Sequence, residues 1–320
     1  MVQTTVQERA QSMEQEPSVW SKLSLLTISG IMLAIGIAWR VVDQFVLGLG
    51  DTWLNIMPSK LFPFLIIIGF FWLYRRSEFE SVLGLSRSQF RVQLAVGIVM
   101  GLMISGLIDI GGTVIYGLLL DPTYPLELHI LNGEFLGYMF LFFLTNAFLE
   151  ETLFRGLLQN ALKTRFSANM AIVLSAIAFG FWHAGWPLLN GGPEREVIMQ
   201  VSMMVFFTFI LGLLFGIYYE RFSSGQSLLG VIVAHTIFNF VNEDFKIGPE
   251  PTMQGPDMGF LTPGLLGVTL FMFMMTFSVF FFAFGRYKIE QASSLWHRIT
   301  KGAGNLIPSG PRTEDALDDN

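Results

Sequence analysis

Long apolar runs constrain this chain more than any other feature of its sequence. Hydrophobic residues make up 52% of its 320 residues, charged residues make up only 14%, and the mean hydropathy is +0.55. Soluble proteins carry roughly 25% charged residues, so a bilayer is the solvent that suits this composition. A membrane span takes about 20 mostly apolar residues. Eight runs approach that length: 23–42, 60–75, 92–119, 135–160, 168–190, 197–219, 226–243 and 260–285.

The eight runs predict an all-α fold, a polytopic membrane helix bundle of about eight transmembrane helices. Their orientation follows from the basic residues, because Lys and Arg accumulate in cytoplasmic segments. With the N-terminus inside, 14 of the 19 Lys and Arg residues fall in segments on the inner side. We therefore expect an integral, multi-pass membrane protein with both termini in the cytoplasm.

Charge is concentrated at the two ends of the chain. The formal net charge is -6, and residues 1–20 and 308–320 supply most of it. This pattern predicts a disordered cytosolic tail over 1–20, an integral membrane domain over 21–290 and a polar, acidic tail over 291–320. The absence of cysteine excludes disulfides, thiolate metal sites and a cysteine nucleophile. The acidic balance argues against a nucleic-acid partner, since nucleic-acid-binding proteins are basic.

Ionisable residues inside membrane spans are costly, so each is a functional candidate. The fourth run contains Glu150, Glu151 and Arg155. On a helix, Glu151 and Arg155 are i,i+4 neighbours that can pair, whereas Glu150 points about 100° away. The spacing therefore predicts a paired Glu151 and a desolvated Glu150 that is suited to act as a general base.

Two histidines lie in spans at a depth similar to that of Glu150. At about 1.5 Å per residue, Glu150, His183 and His235 lie about 22, 24 and 21 Å from the inner ends of their helices. This shared depth predicts one active site between the fourth, fifth and seventh helices. Asn239 follows His235 by one turn, and its amide suits a developing oxyanion.

Other polar and small residues in the spans suit helix packing better than chemistry. Arg40, Asp43 and Asp109 are interpreted as residues that join helices. Small residues spaced four apart allow close helix approach. Two such pairs occur: Gly97-x-x-x-Gly101 and Gly212-x-x-x-Gly216.

Three motifs on separate helices resemble those of the CAAX-protease and bacteriocin-processing family of intramembrane proteases. They are EExxxR at 150–155, FxxxH at 179–183 and HxxxN at 235–239. The resemblance covers about 135–245 and implies a protease-like membrane domain. It further implies a substrate that is anchored to the membrane lipid, such as a prenylated CAAX-type peptide.

The resemblance also implies roles for the motif residues. Glu150 would activate the attacking water, which His183 would help to position. His235 and Asn239 would stabilise the tetrahedral oxyanion, whereas Glu151 and Arg155 would hold the geometry of the site.

Metal dependence stays open at this stage. The family is often catalogued among metalloproteases, in which Glu150, His183 and His235 would hold a divalent metal such as zinc. The residues fit equally well with a metal-free site, which we favour slightly because the HExxH motif is absent.

Two other classes of function compete with a protease. One is a non-proteolytic membrane scaffold or immunity-type protein, favoured by the lack of a recognisable substrate-binding element. The other is an ion-coupled transporter, since carboxylates and histidines also form proton relays. No inverted repeat stands out in the sequence, which weakens the transporter hypothesis.

Overall fold

The computed structural model describes residues 19–47, 57–185, 188, 193–250 and 262–304. Most of the predicted tail over 1–20 and the end of the chain beyond 304 therefore lie outside the described residues. Eleven helices cover most of the described part of the chain. They are α1 Val19–Lys22, α2 Leu25–Val41, α3 Pro58–Tyr74, α4 Phe79–Leu83, α5 Phe90–Ile104, α6 Leu136–Glu151, α7 Ala168–Trp182, α8 Glu194–Ile217, α9 Leu229–Asp244, α10 Pro263–Arg286 and α11 Ile289–Gly304.

Four of these helices continue without a break into π-helical segments. The segments are Val42–Leu47 after α2, Ser105–Gly111 after α5, Thr152–Leu158 after α6 and Tyr218–Phe222 after α8. Helices α5 and α6 then resume as Gly112–Leu119 and Gln159–Lys163. Short π-helical segments inside α-helices occur often at functional sites, and the one after α6 contains Arg155.

Every predicted apolar run contains a helix, but not every helix is long and apolar enough to span a bilayer by itself. In the described part of the chain, four meet both conditions: Leu25–Leu47, Phe90–Leu119, Val197–Phe222 and Pro263–Arg286. Helices α3 and α7 are apolar but shorter, whereas α6 together with its continuation to Lys163 carries four charged residues. The helices that carry the motifs are therefore outside this apolar group, and eight spans stay a prediction.

A small sheet corrects the expectation of an all-α chain. Strand β1, Glu127–Ile130, pairs antiparallel with β2, Phe245–Gly248, so that Glu127 faces Gly248 and Ile130 faces Phe245. The strand β1 precedes α6, and β2 follows α9 directly. The sheet thus ties one end of α9 to the segment that leads into α6. Two four-residue strands are too short to give a clear periodic pattern in sequence.

Two boundaries also differ from the predicted ones. The fifth run was expected to extend over 168–190, but α7 ends at Trp182 and His183 caps it. Gly185 and Pro187 follow closely in the sequence, and both residue types end helices. At the other end of the chain, α11 makes the first part of the predicted polar tail helical.

Two buried hydrophobic clusters meet at the candidate site. One joins α5, α8, α9 and α10 and includes Phe215. The other joins α2, α3, α6 and α7 and includes Phe179. Both phenylalanines approach the imidazole of His235, with ring centroids 5.7 Å away for Phe215 and 6.1 Å for Phe179. The motif helices therefore pack at the junction of the two halves of the core.

The predicted glycine pairs are confirmed as sites of close helix approach. A Cβ atom at Gly97 would lie 2.5 Å from the carbonyl oxygen of Gly230 on α9. One at Gly101 would lie 2.8 Å from Cβ of Ile237. On α8, Gly212 and Gly216 approach α7 in the same way, at Ala176 and Ile172. The contacts of Gly97 and Gly101 set how closely α9 lies against α5, and thus where α9 holds His235.

Replacing Gly97 with Ala should destabilise the protein by about 1–3 kcal/mol, the usual cost of overpacking. The added methyl group would press against the backbone of Gly230, which has little freedom to move. Thermal unfolding of the detergent-purified protein measures the loss. Gly69→Ala on α3 is the matched control, because nothing lies within 4 Å of its Cβ position. Equal melting temperatures for the two variants would contradict this account of the α5–α9 contact.

Candidate active site

Helix α6 buries the charged residues of the first motif almost completely. Glu150 is 1% exposed, Glu151 0% and Arg155 1%. The two glutamates end the α-helical part of α6, and Arg155 lies in the π-helical segment that follows. Three charges in an apolar environment are costly unless each has a partner. Their contacts therefore decide what the site can do.

Glu151 has two cationic or hydrogen-bonding partners. Arg155 donates through Nη1 to Glu151 Oε1 at 3.3 Å, which confirms the predicted i,i+4 pair. His235 on α9 also lies against Glu151 Oε1, with Nδ1 2.7 Å away. Glu151 therefore links α6 to α9 and orients the imidazole of His235.

Aromatic rings enclose the guanidinium of Arg155. Its Cζ atom lies 3.9 Å from the ring centroid of Phe179 and 5.5 Å from that of Phe215. A cation over an aromatic face is stabilised by the quadrupole of the ring. Phe179 of the second motif thus covers the guanidinium of Arg155 in the first motif. The FxxxH spacing also places His183 one helical turn after Phe179.

Glu150 faces both histidines of the motifs. Its Oε2 atom lies 3.7 Å from His183 Nε2 and 3.7 Å from His235 Nε2. The structure thus brings together the three side chains for which the sequence predicted a common depth. These separations exceed hydrogen-bond length and leave Oε2 buried without a hydrogen bond in the described part of the chain.

Hydrogen bonds on the far side of each imidazole determine its tautomer. His183 Nδ1 lies 2.9 Å from the carbonyl oxygen of Phe179, and His235 Nδ1 contacts the carboxylate of Glu151. Both partners accept only, so each Nδ1 carries the proton and donates it. The assignment follows from the hydrogen-bond network. In the neutral rings, both Nε2 atoms then direct lone pairs towards Glu150.

The other oxygen of Glu150 has partners that the sequence analysis did not assign to the site. Trp182 donates its indole Nε1–H to Glu150 Oε1 at 3.0 Å. Lys60 at the start of α3 places Nζ 3.8 Å from the same oxygen and is 5% exposed. A lone lysine at the start of an apolar run is the signal in the sequence that could have identified Lys60.

Arg40 and Asp43 lie closer to the site than expected. Arg40 donates through Nη1 to the carbonyl oxygen of Trp182 at 3.5 Å, and its guanidinium lies 5.5 Å from the centroid of the indole ring. Asp43, in the π-helical segment after α2, is 4% exposed. Arg40 therefore joins α2 to the end of α7 on the Trp182 side of the site.

Two further candidates make no hydrogen bond or ion pair with Glu150 in the described part of the chain. Asn239 follows His235 by one turn on α9, is half-buried and has no hydrogen bond to the described residues. Asp109 lies in the π-helical segment after α5, where its charged neighbours are Glu243 and Lys246. Asn239 is therefore available to a substrate, whereas Asp109 belongs to a separate polar region.

The residues around Glu150 are of the kinds that zinc prefers. However, no group of three His, Asp or Glu side chains among the described residues is arranged to hold a metal ion. The metalloprotease interpretation is therefore not supported, and the reaction below is derived from the protein side chains and water.

A comparison with protein families supports the resemblance read from the motifs. Residues 132–241 match the family model described as type II CAAX prenyl endopeptidase, Rce1-like. This segment belongs to the CAAX protease family. It contains all three motifs and agrees closely with the predicted family core over 135–245. None of the curated proteins compared with the chain matches it.

The family match and the apolar helices together indicate that this CAAX-protease segment is part of a membrane protein. The four long apolar helices and the family match indicate an integral membrane protein with a segment similar to CAAX proteases. The motifs of the CAAX-protease segment lie on α6, α7 and α9, which are not among those four helices. Its charged core is therefore carried by helices that are shorter or more highly charged than those four.

Proposed function

We propose that this protein is an intramembrane endopeptidase that hydrolyses a peptide bond of a membrane-associated substrate. The observation that carries the proposal is the position of Glu150 Oε2, which faces the Nε2 atoms of His183 and His235 at 3.7 Å each. A carboxylate and an imidazole acceptor at one buried point can bind and deprotonate a water molecule.

The attacking water would lie between Glu150 and His183. One O–H would donate to Glu150 Oε2 and the other to His183 Nε2, since polar groups separated by more than 3.5 Å are often bridged by water. An oxygen lone pair then remains for the carbonyl carbon of the substrate. As the C–O bond forms, Glu150 takes the proton, and it later gives that proton to the amine that leaves when the C–N bond breaks.

His235 and Asn239 would stabilise the oxyanion of the tetrahedral intermediate. For this role His235 enters the reaction with a proton on both ring nitrogens, so that Nδ1–H donates to the carboxylate of Glu151 and Nε2–H donates to the oxyanion. The amide of Asn239 supplies a second donor one turn further along α9. Arg155 compensates the charge of Glu151, which keeps this arrangement together.

A prenylated, CAAX-type C-terminal peptide is the substrate class that the family description suggests. Such a peptide is held at the membrane by its lipid, and the site is packed among the long apolar helices of the protein. We further propose eight spans with both termini in the cytoplasm, which the distribution of Lys and Arg supports.

Hydrolysis by the purified full-length protein in liposomes tests the proposed function. The substrates are a farnesylated C-terminal peptide, the same peptide without its lipid and a fragment of a single-span membrane protein. We expect cleavage of at least one membrane-bound substrate, identified by the mass of its products. No cleavage of any of them by a folded protein would contradict the endopeptidase proposal.

Chelation should leave this activity intact, because the proposed reaction uses Glu150 and the two histidines without a metal ion. The measurement is turnover before and after dialysis against EDTA or 1,10-phenanthroline, together with metal analysis of the active protein. A loss of activity that only added zinc restores, with stoichiometric zinc in the protein, would overturn the metal-free reaction.

A further inference from the structure

The two oxygens of Glu150 have different surroundings. Oε2 faces the imidazoles of His183 and His235 across 3.7 Å. Oε1 accepts the indole N–H of Trp182 at 3.0 Å and lies 3.8 Å from Nζ of Lys60. One oxygen is thus held by the protein, whereas the other is directed at the place where water would react.

Lys60 is buried where an unpaired ammonium would be costly. It lies in the first turn of α3, follows Pro58 and Ser59, and is 5% exposed. The rest of this helix is apolar and continues as LFPFLIIIGFFWLY. A charge in such surroundings needs a counter-charge, and Glu150 supplies it from α6.

Other charged groups face Glu150 from each helix packed around it. They are Arg40 on α2, Lys60 on α3, Glu151 on α6, Arg155 in the π-helical segment after it, His183 after α7 and His235 on α9, and Asp43 lies near Arg40 and Lys60. Arg155 pairs with Glu151, and Arg40 lies over the ring of Trp182. Lys60 is therefore the permanent cation within 4 Å of the Glu150 carboxylate in the described part of the chain.

We propose that Lys60 and Trp182 are positioning residues that hold Glu150 by Oε1. The indole N–H sets the direction of the carboxylate, so that Oε2 points at the histidines. The ammonium favours the ionised carboxylate, which is the form that accepts a proton from water. This inference rests on the proposed function, because it assigns Glu150 as the base.

The two contacts differ in charge, so their loss should have different kinetic signatures. Lys60→Met removes the cation while keeping an unbranched side chain of similar length. We expect kcat to fall by about 10–100-fold, less than the 10²–10⁴-fold that the general base itself supplies. The acid limb of the pH–rate profile should also move up by roughly 1 pH unit or more. Lys60→Arg keeps the charge and should leave that limb in place.

Trp182→Phe removes the N–H donor and keeps an aromatic ring. It should lower kcat with little change in KM, and the acid limb should stay where it is in the wild type, since no charge is lost. The matched control is Lys163→Met, which removes another Lys–Glu pair, with Glu220 at 2.8 Å, away from the site. This control should keep wild-type kcat and the wild-type pH profile.

The experiment measures the pH–rate profiles, kcat and KM of these four variants with the liposome substrate. An acid limb that does not move in Lys60→Met would overturn the role of Lys60, and wild-type kcat in Trp182→Phe would overturn that of Trp182. Failure of the proposed function is distinguishable, because the wild-type protein would then cleave none of the substrates. A Glu150→Gln variant that hydrolyses the substrate at the wild-type rate would instead remove the base on which this inference rests.

A folding measurement covers the case in which Lys60→Met is too unstable to assay. If Glu150 is the counter-charge of Lys60, the double variant Lys60→Met, Glu150→Gln should melt at a higher temperature than Lys60→Met alone. The reason is that the neutral amide needs no cation. A double variant no more stable than Lys60→Met would show that the two charges do not depend on each other, and would overturn the inference.

Discussion

Hydrolysis should fall by about 10²–10⁴-fold when Glu150 is replaced by Gln, which is the range that general-base catalysis supplies. Glutamine has nearly the same shape and can still accept the indole N–H of Trp182 through its carbonyl oxygen. It has no carboxylate to take a proton from water beside His183 and His235. The measurement is single-turnover cleavage of the liposome-bound peptide, so that product release does not mask the chemical step.

Glu220→Gln is the control for that substitution. Glu220 is also a partly buried glutamate paired with a lysine, with its Oε2 2.8 Å from Lys163 Nζ, but it lies outside the site. The Glu220→Gln variant should therefore hydrolyse the peptide at the wild-type rate. Wild-type turnover in Glu150→Gln would sink the assignment of the base. Full complementation of a deletion strain by an inactive Glu150→Gln variant would favour the scaffold hypothesis instead.

The largest effect on stability is expected at Arg155. Arg155→Met should reduce the free energy of unfolding by about 3–5 kcal/mol, the usual cost of removing one partner of a buried ion pair. Glu151 would remain buried with no guanidinium beside it, and the rings of Phe179 and Phe215 would lose the cation between them. Denaturant or thermal unfolding in detergent measures the change.

Two further variants show whether charge is the cause of that loss. Arg155→Met combined with Glu151→Gln removes both charges and should recover part of the lost stability. Arg221→Met replaces an exposed arginine that bonds to Asn169, and its effect should stay within about 0.5 kcal/mol. A loss in Arg155→Met that is no larger than the loss in Arg221→Met would contradict the role of Arg155 as the buried counter-ion.

Much of the site could be predicted from local spacing. The i,i+4 relation places Arg155 beside Glu151 on any regular helix, and the pair persists although the chain becomes π-helical between them. Counting residues from the inner basic ends placed Glu150, His183 and His235 at one depth, because helical rise converts sequence distance directly into depth. These inferences need no knowledge of how the helices pack.

Other features could not be predicted from the spacing of residues along one helix. The end of α7 at Trp182 leaves His183 as its C-cap, with its backbone N–H still bonded to the carbonyl oxygen of Gly180. The pairing of β1 with β2 joins segments more than a hundred residues apart. Lys60 and Trp182 meet on Glu150 although no motif links them. Each of these depends on contacts between elements that are distant in sequence, which local patterns do not encode.

The sequence by itself determined which residues are scarce in an apolar chain and which share a helix face or a depth. It thereby identified Glu150, the two histidines and the Glu151–Arg155 pair. Only the tertiary structure decided which oxygen of Glu150 faces the histidines and which is held by Lys60 and Trp182. The reason is physical: rise and periodicity are properties of one helix, whereas contacts across helices depend on how each helix is rotated and tilted against its neighbours.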